Sequence, residues 1–201
     1  MTADEQQLIE KMKTGDRNAF REVVERYKRK VYYLALDLIG NHDDAEDLSQ
    51  EVFIKIFKSA SNFKGDSKFS TWIHRVTINT YIDHTRSQKL MTTELPDYFN
   101  EEDHNTDSFS GKDHYKNPEL VTEGNQIHIH VQQALEKLSP REKTIFVMRH
   151  YQEMQNKEIS EILKVTEGTV KTLLFRAIQK LQIHLSFYRP DLGMENKNER
   201  S

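Results

Sequence analysis

Apolar residues recur along this chain at helical spacing, with polar and charged residues filling the positions between them. Residues 4–13 read as a short helix that stops at Gly15. From there Phe20, Val23, Val24, Tyr27, Val31, Leu34 and Leu38 follow a stripe with a period near 3.6 residues. Asp16 stands where an N-cap accepts from unpaired backbone N–H groups, and Gly40 where a helix ends in left-handed backbone. A polar turn over 41–44 leads into a third helix with an acidic first turn, suited to the positive end of a helix dipole. Ala45, Leu48, Val52 and Ile56 share its inner face. Residues 63–68 (FKGDSK) predict a loop. Ser70 is placed to cap a helix through Trp72, Val76, Asn79 and Ile82 to Gln88.

The pattern then fails. Residues 89–118 carry Pro96, Gly111, Pro118 and many Asp, Glu, Asn and Ser, with no stripe, which predicts an interdomain linker. Tyr98, Phe99, Phe109 and Tyr115 give it some capacity to stick to a partner. Periodicity returns at Ile127, Val131, Ala134, Leu135 and Leu138. Ser139-Pro140-Arg141-Glu142 is a helix start, with a cap, a proline at the first helical position and the glutamate of a capping box. Two more helices are expected, at 156–163 and 167–186. The fold class is therefore all-α: two small helical domains joined by a flexible linker, the second a helix-turn-helix. The boundaries are 1–90, 91–124 (linker), 125–188 and a polar tail over 189–201.

Composition supports this. Gly (7) and Pro (4) are sparse, favouring helices over a turn-rich β fold. There is no cysteine, so disulfides, thiol catalysis and cysteine-ligated zinc are excluded. The polar N-terminus shows no apolar signal region, and no apolar run approaches bilayer length, so a cytoplasmic location without membrane insertion is expected. His128 and His130, two apart on a helix, point to different faces and make a poor metal site. No Ser, His and Asp grouping suggests a hydrolase, and neither cofactor nor metal is expected. The net charge of −3 argues against a chain that grips duplex DNA tightly alone, but local basic patches can still bind it.

Two segments carry candidate chemistry. In residues 156–181, Ile159, Ile162 and Leu163 face inward from one short helix, and Val170, Leu173 or Leu174, Ala177 and Leu181 from the next. Two short helices and a tight turn describe a helix-turn-helix, whose second helix enters the major groove. Its early polar residues are Glu167, Thr169, Lys171 and Thr172, while Lys157, Arg176 and Lys180 could anchor phosphates. Arg176 could instead pair with Glu167 or Glu158. The second segment, residues 43–86, joins an acidic amphipathic helix to a loop with Phe63, Lys64, Lys68 and Phe69. A helix with Trp72, Arg75, Asn79, Tyr81 and Arg86 follows. Interleaved aromatics and cations suit single-stranded DNA, stacking on bases and holding phosphates. Phe63, beside Lys64 and Gly65, is the better stacking candidate, whereas Trp72 reads as core alongside Val76. Asn79 reads as a base reader, or else as a buried polar residue satisfied by backbone.

At these residues the sequence resembles the extracytoplasmic-function sigma factors of bacterial RNA polymerase, in the sigma-70 family. The carrying motifs are DDAEDLSQEVFIKIF, FKGDSKFSTWIHRVTINTYIDHTR and LSPREKTIFVMRHYQEMQNKEISEILKVTEGTVKTLLFRAIQKL, in the family's order and separation. The resemblance implies a non-enzymatic protein that binds core RNA polymerase, on the clamp helices of the largest subunit and on the flap, and directs promoter recognition, melting and initiation. Asp44, Asp47, Gln50, Glu51 and Phe53 would dock on the clamp helices. Phe63, Lys64, Gly65, Lys68, Trp72, Arg75, Asn79 and Arg86 would meet the minus-ten element. Lys157, Glu167, Thr169, Lys171, Thr172, Phe175 and Arg176 would meet the minus-thirty-five element. An anti-sigma factor is an implied partner beside promoter DNA. The sequence departs from the family at Lys164, near which a glycine is usual, and at Leu173 and Leu174, where polar or basic residues are common. The alternatives are a free-standing helix-turn-helix regulator that binds an operator without polymerase, and a non-DNA interaction module.

Overall fold

The computed structural model describes residues 3–93 and 123–188, and among these all regular structure is helical. The α-helices are α1 (Ala3–Lys13), α2 (Arg17–Ile39), α3 (His42–Ser59), α4 (Phe69–Thr93), α5 (Glu123–Glu136), α6 (Pro140–His150), α7 (Asn156–Leu163) and α8 (Glu167–His184). Short 3-10 turns follow α3 (Ala60–Asn62) and α8 (Ser186–Tyr188). Most of the expected linker, with its four aromatic residues, lies outside the described residues, as does the tail beyond Tyr188.

The first unit is α1–α4. Asp16 accepts from the Asn18 and Ala19 N–H groups at the head of α2. Gly40, at φ 94°, donates its N–H to the Leu36 carbonyl and ends that helix. Val23, Val31, Leu34 and Leu38 of α2 pack against Ala45, Leu48, Val52 and Ile56 of α3, all essentially sealed from solvent. α4 starts one turn position earlier than the Ser70 cap implies. Trp72 N–H already bonds the Lys68 carbonyl, so Phe69 and Ser70 are both within the helix. Burial of Phe69 (1% exposed) draws that first residue onto the core.

The second unit is α5–α8. The Ser139 hydroxyl accepts from the Glu142 N–H, and the Glu142 carboxylate accepts from the Ser139 N–H at 2.9 Å, completing the predicted capping box. Val170, Ala177 and Leu181 of α8 split between two small cores. One is shared with Ile145, Met148, Ile159 and Ile162, the other with Ala134, Leu135 and Leu138.

The two units pack on each other. Ile78 of α4 is fully buried in the core of the helix-turn-helix unit, and Val147 of α6 in the core of the first unit. Gln152 Nε2 donates to Asp37 Oδ2 at 2.6 Å. A Cβ at Gly40 would lie 3.0 Å from Gln132 Oε1, so this glycine serves both the turn and the approach of α5.

Candidate nucleic-acid interface

The helix-turn-helix is built as the spacing predicts. α7 ends at Lys164, whose left-handed backbone (φ 54°, ψ 46°) makes the sharp turn without a glycine. Thr166 then caps α8 by accepting from the Thr169 N–H at 3.1 Å. Glu167, Thr169, Lys171, Thr172, Phe175 and Arg176 all lie exposed on α8, and Phe175 is 61% exposed. Two of their hydroxyl groups are already engaged. Thr169 pairs with Thr166 at 2.9 Å, and Thr172 donates to the Gly168 carbonyl. Lys171 and Arg176 are therefore the exposed cations on this face, with Lys157 exposed at the start of α7. Arg176 makes no ion pair with Glu167 or Glu158. Lys180 turns away to bond Glu142 at 2.7 Å, locking α8 to α6. Leu173 and Leu174 pack partly against the core, which explains apolar residues at those positions.

On the first unit, Lys64, Gly65 and Lys68 form an exposed loop, with Gly65 at φ 82°, and Asn79 and Arg86 are exposed along α4. Asn79 is thus not the buried alternative. The reading of Phe63 as a stacking platform is corrected. Phe63 is 4% exposed, with its ring 5.2 Å from Phe69 and 5.4 Å from Trp72. The loop backbone folds this ring inward because the three aromatics fill the gap between α1, the 3-10 turn and α4 better than they could stand in water. Trp72 is partly buried in the same cluster, its ring stacked on Phe69 at 5.4 Å. Burial pushes the His74 pKa down, against the Ser70 carbonyl bond that raises it.

Arg75 is the other departure. Its Nε donates to the Ile162 carbonyl at 2.8 Å and its Nη2 to the Glu161 carbonyl at 2.9 Å, so its fork already points at the end of α7.

α3 presents the acidic face. Asp44, Asp47 and Gln50 are exposed and Glu51 half-buried, bonded to Lys55 at 2.9 Å. Asp44 is also tied to the cap, accepting from Asn41 Nδ2 at 2.6 Å. Phe53 is half-buried against the core. Sequence reasoning missed Ile54 (53% exposed) and Phe57 (40%), which continue the face of Asp47 and Gln50 at helical spacing. The available signal was that both are apolar yet lie off the stripe of Leu48, Val52 and Ile56. Among the described residues no group of His, Cys, Asp and Glu could hold a metal ion, and no helix is long and apolar enough to cross a membrane.

A free helix-turn-helix face, a basic edge on a separate helical unit and an acidic-apolar helix define a DNA-binding protein that also docks on another protein. Comparison with known proteins agrees. Residues 23–90 match the model for sigma-70 region 2, and residues 129–181 the model for sigma-70 region 4. The ECF RNA polymerase sigma factor SigW of Bacillus subtilis is 33% identical over 88% of this chain and 94% of its own length. The RNA polymerase sigma-H factor of Pseudomonas aeruginosa is 31% identical over 86% and 89%. The fold is similar to that of CnrH, solved in complex with the cytosolic domain of CnrY (TM-score 0.60, 18% identity, 91% of this chain and 97% of that one). It is also similar to the sigma factor RpoE of Bartonella quintana, solved with the anti-sigma factor NepR (TM-score 0.57, 20% identity, 83% and 96%). The chain belongs to the ECF RNA polymerase sigma factors of the sigma-70 family. It is therefore a promoter-directing initiation factor and not an enzyme.

Proposed function

We propose that this sigma factor divides its work among three surfaces. The α3 face, with Asp44, Asp47, Gln50 and Glu51, docks on the clamp helices of the largest polymerase subunit, and Phe53 supports that helix from beneath. Ile54 and Phe57 add an apolar contact to the same footprint. The carboxylates contribute register and association rate more than affinity, which suits a charged rim around an apolar centre. The exposed loop and helix face of Lys64, Gly65, Lys68, Asn79 and Arg86 engages the minus-ten element, with Asn79 reading a base and the cations holding phosphates. Trp72 and Phe63 act from the core by fixing that loop. Arg75 is a further phosphate contact once its present partners release it. Glu167, Thr169, Lys171, Thr172, Phe175 and Arg176 meet the minus-thirty-five element, with Lys157 on the backbone. The second unit also contacts the flap.

The boundaries 1–90 and 125–188 divide these tasks, with 91–124 as linker and 189–201 as tail. The protein works in the cytoplasm, where polymerase and promoter are. An anti-sigma factor covering these faces is the regulator, supported by the likeness to RpoE, which was solved with the anti-sigma factor NepR.

The observation that carries this reading is the exposure, on one chain, of an acidic-apolar helix face together with two separate basic faces. No face need bind tightly alone, because polymerase holds the modules at high effective concentration. Run-off transcription with purified core polymerase on a pool of promoter fragments tests it. The chain should direct initiation at a defined subset, and Asp47→Arg should cut that at least about tenfold, as reversing a charge at a docking rim does. Tight binding of duplex operator by the chain alone, with no gain in initiation by core enzyme, would favour the free-standing regulator.

A further inference from the structure

α4 gives one of its faces to the other half of the chain. Arg75, Ile78 and Ile82 lie three and four residues apart, which aligns them on one side of a helix. Ile78 is sealed among Ile145, Met148, Ile159, Ile162 and Val170, and Ile82 packs at its edge. One turn away, Arg75 reaches the last turn of α7. There the left-handed Lys164 and the following Val165 both direct their N–H groups to the Ser160 carbonyl. The Glu161 and Ile162 carbonyls are left without backbone donors, at the negative end of the helix dipole. The planar guanidinium fork satisfies both, in the two-pronged geometry with which arginine otherwise grips a phosphate.

We propose that this contact is a latch: in the free chain the helix-turn-helix unit holds the Arg75 guanidinium in place of a DNA phosphate, and the first unit engages DNA fully only when the two units part. The inference rests on the reading of Arg75 as a phosphate contact. The seam is suited to reversible opening. Around the apolar contacts of Ile78, Ile82 and Val147 it is closed by the Asp37–Gln152 bond and the arginine cap, and these polar groups regain water or DNA on separation. The exposed α8 face is untouched by the latch, so the minus-thirty-five surface stays available while part of the minus-ten surface is withheld. A chain whose binding-competent state is a minor fraction shows an affinity reduced by that fraction, and opening restores it.

The full-length chain allows a direct test. It has no cysteine, so Lys58→Cys and Gln179→Cys, both at exposed positions, can carry a donor and an acceptor dye. Two variants attack the seam: Ile78→Ser removes its apolar anchor, and Gln152→Glu sets a carboxylate against Asp37. Each should lower energy transfer and tighten binding of a mixed-sequence single-stranded DNA oligonucleotide by about threefold or more. Adding Arg75→Ala should remove that gain. Unchanged transfer with unchanged affinity would overturn the latch, as would lowered transfer without a gain in affinity. A gain that survives Arg75→Ala would leave the separation of units standing and overturn the phosphate reading of Arg75. Should Ile78→Ser lose its cooperative melt, Gln152→Glu, at the half-exposed rim, decides the matter.

Discussion

Lys164 does a glycine's work at the turn between α7 and α8. Its backbone sits at φ 54°, ψ 46°, where an L side chain crowds its own carbonyl at a cost of about 1–2 kcal/mol. Lys164→Gly should relieve most of this, less the added freedom of glycine in the unfolded chain, and stabilise by about 0.5–1 kcal/mol. A denaturant midpoint measured with an unchanged slope would check it. From the sequence, the missing glycine identifies a departure from the family without saying how the turn is made. Lys164 simply adopts the conformation, because Ser160 accepts two N–H groups there. Phe63 shows the opposite limit. Its neighbours Lys64 and Gly65 are exposed, and nothing local distinguishes a ring that points out from one that folds onto Phe69 and Trp72.

Among elements, α6 is wired to its neighbours through one carboxylate. Glu142 is buried, which works against its charge, yet Lys180, the Ser139 N–H and the Ser139 hydroxyl together hold its pKa below the ordinary value. A lowered folded pKa means that the charged form stabilises the fold. That contribution is whole above the ordinary pKa of 4.5 and is lost as pH falls through the lowered one. Glu142→Gln keeps the shape and removes the charge. It should cost about 1–2 kcal/mol at neutral pH, and the gap to the parent chain should narrow in acid. Thermal melts across that pH range would show it. A flat difference would mean that the ion pair contributes nothing.

The helices with one buried face were legible in this way from stripe and cap. α2 begins at Asp16 and ends at Gly40, and α6 begins at Ser139, as read, whereas α3 starts at His42, inside the expected turn over 41–44, because the Asn41 side chain accepts from the Asp44 N–H. α4 was the least legible because it is buried on more than one side. Phe69, Ile73 and Tyr81 serve the first core and Ile78 the second. Thr77 and Thr80 lie sealed between them, with hydroxyls bonded back to the Ile73 and Val76 carbonyls. A pattern summed over two faces loses its single period, so the packing of the units, and the engagement of Arg75 with it, could not be read from spacing.

At the scale of the whole molecule, the net charge of −3 conceals a division of labour. Carboxylates gather on α3, while Lys64, Lys68 and Arg86 on one unit and Lys171 and Arg176 on the other form separate cationic faces. The single tryptophan gives this arrangement a built-in optical reporter. Trp72 lies against Phe63 and Phe69, within the core of the first unit. Its emission therefore follows that half alone, whereas far-ultraviolet dichroism follows every helix in the chain. When the seam holds the halves into one cooperative body, the two signals should share a midpoint. In the Gln152→Glu chain they should separate by several degrees, turning one indole ring into a gauge of how strongly two domains speak to each other.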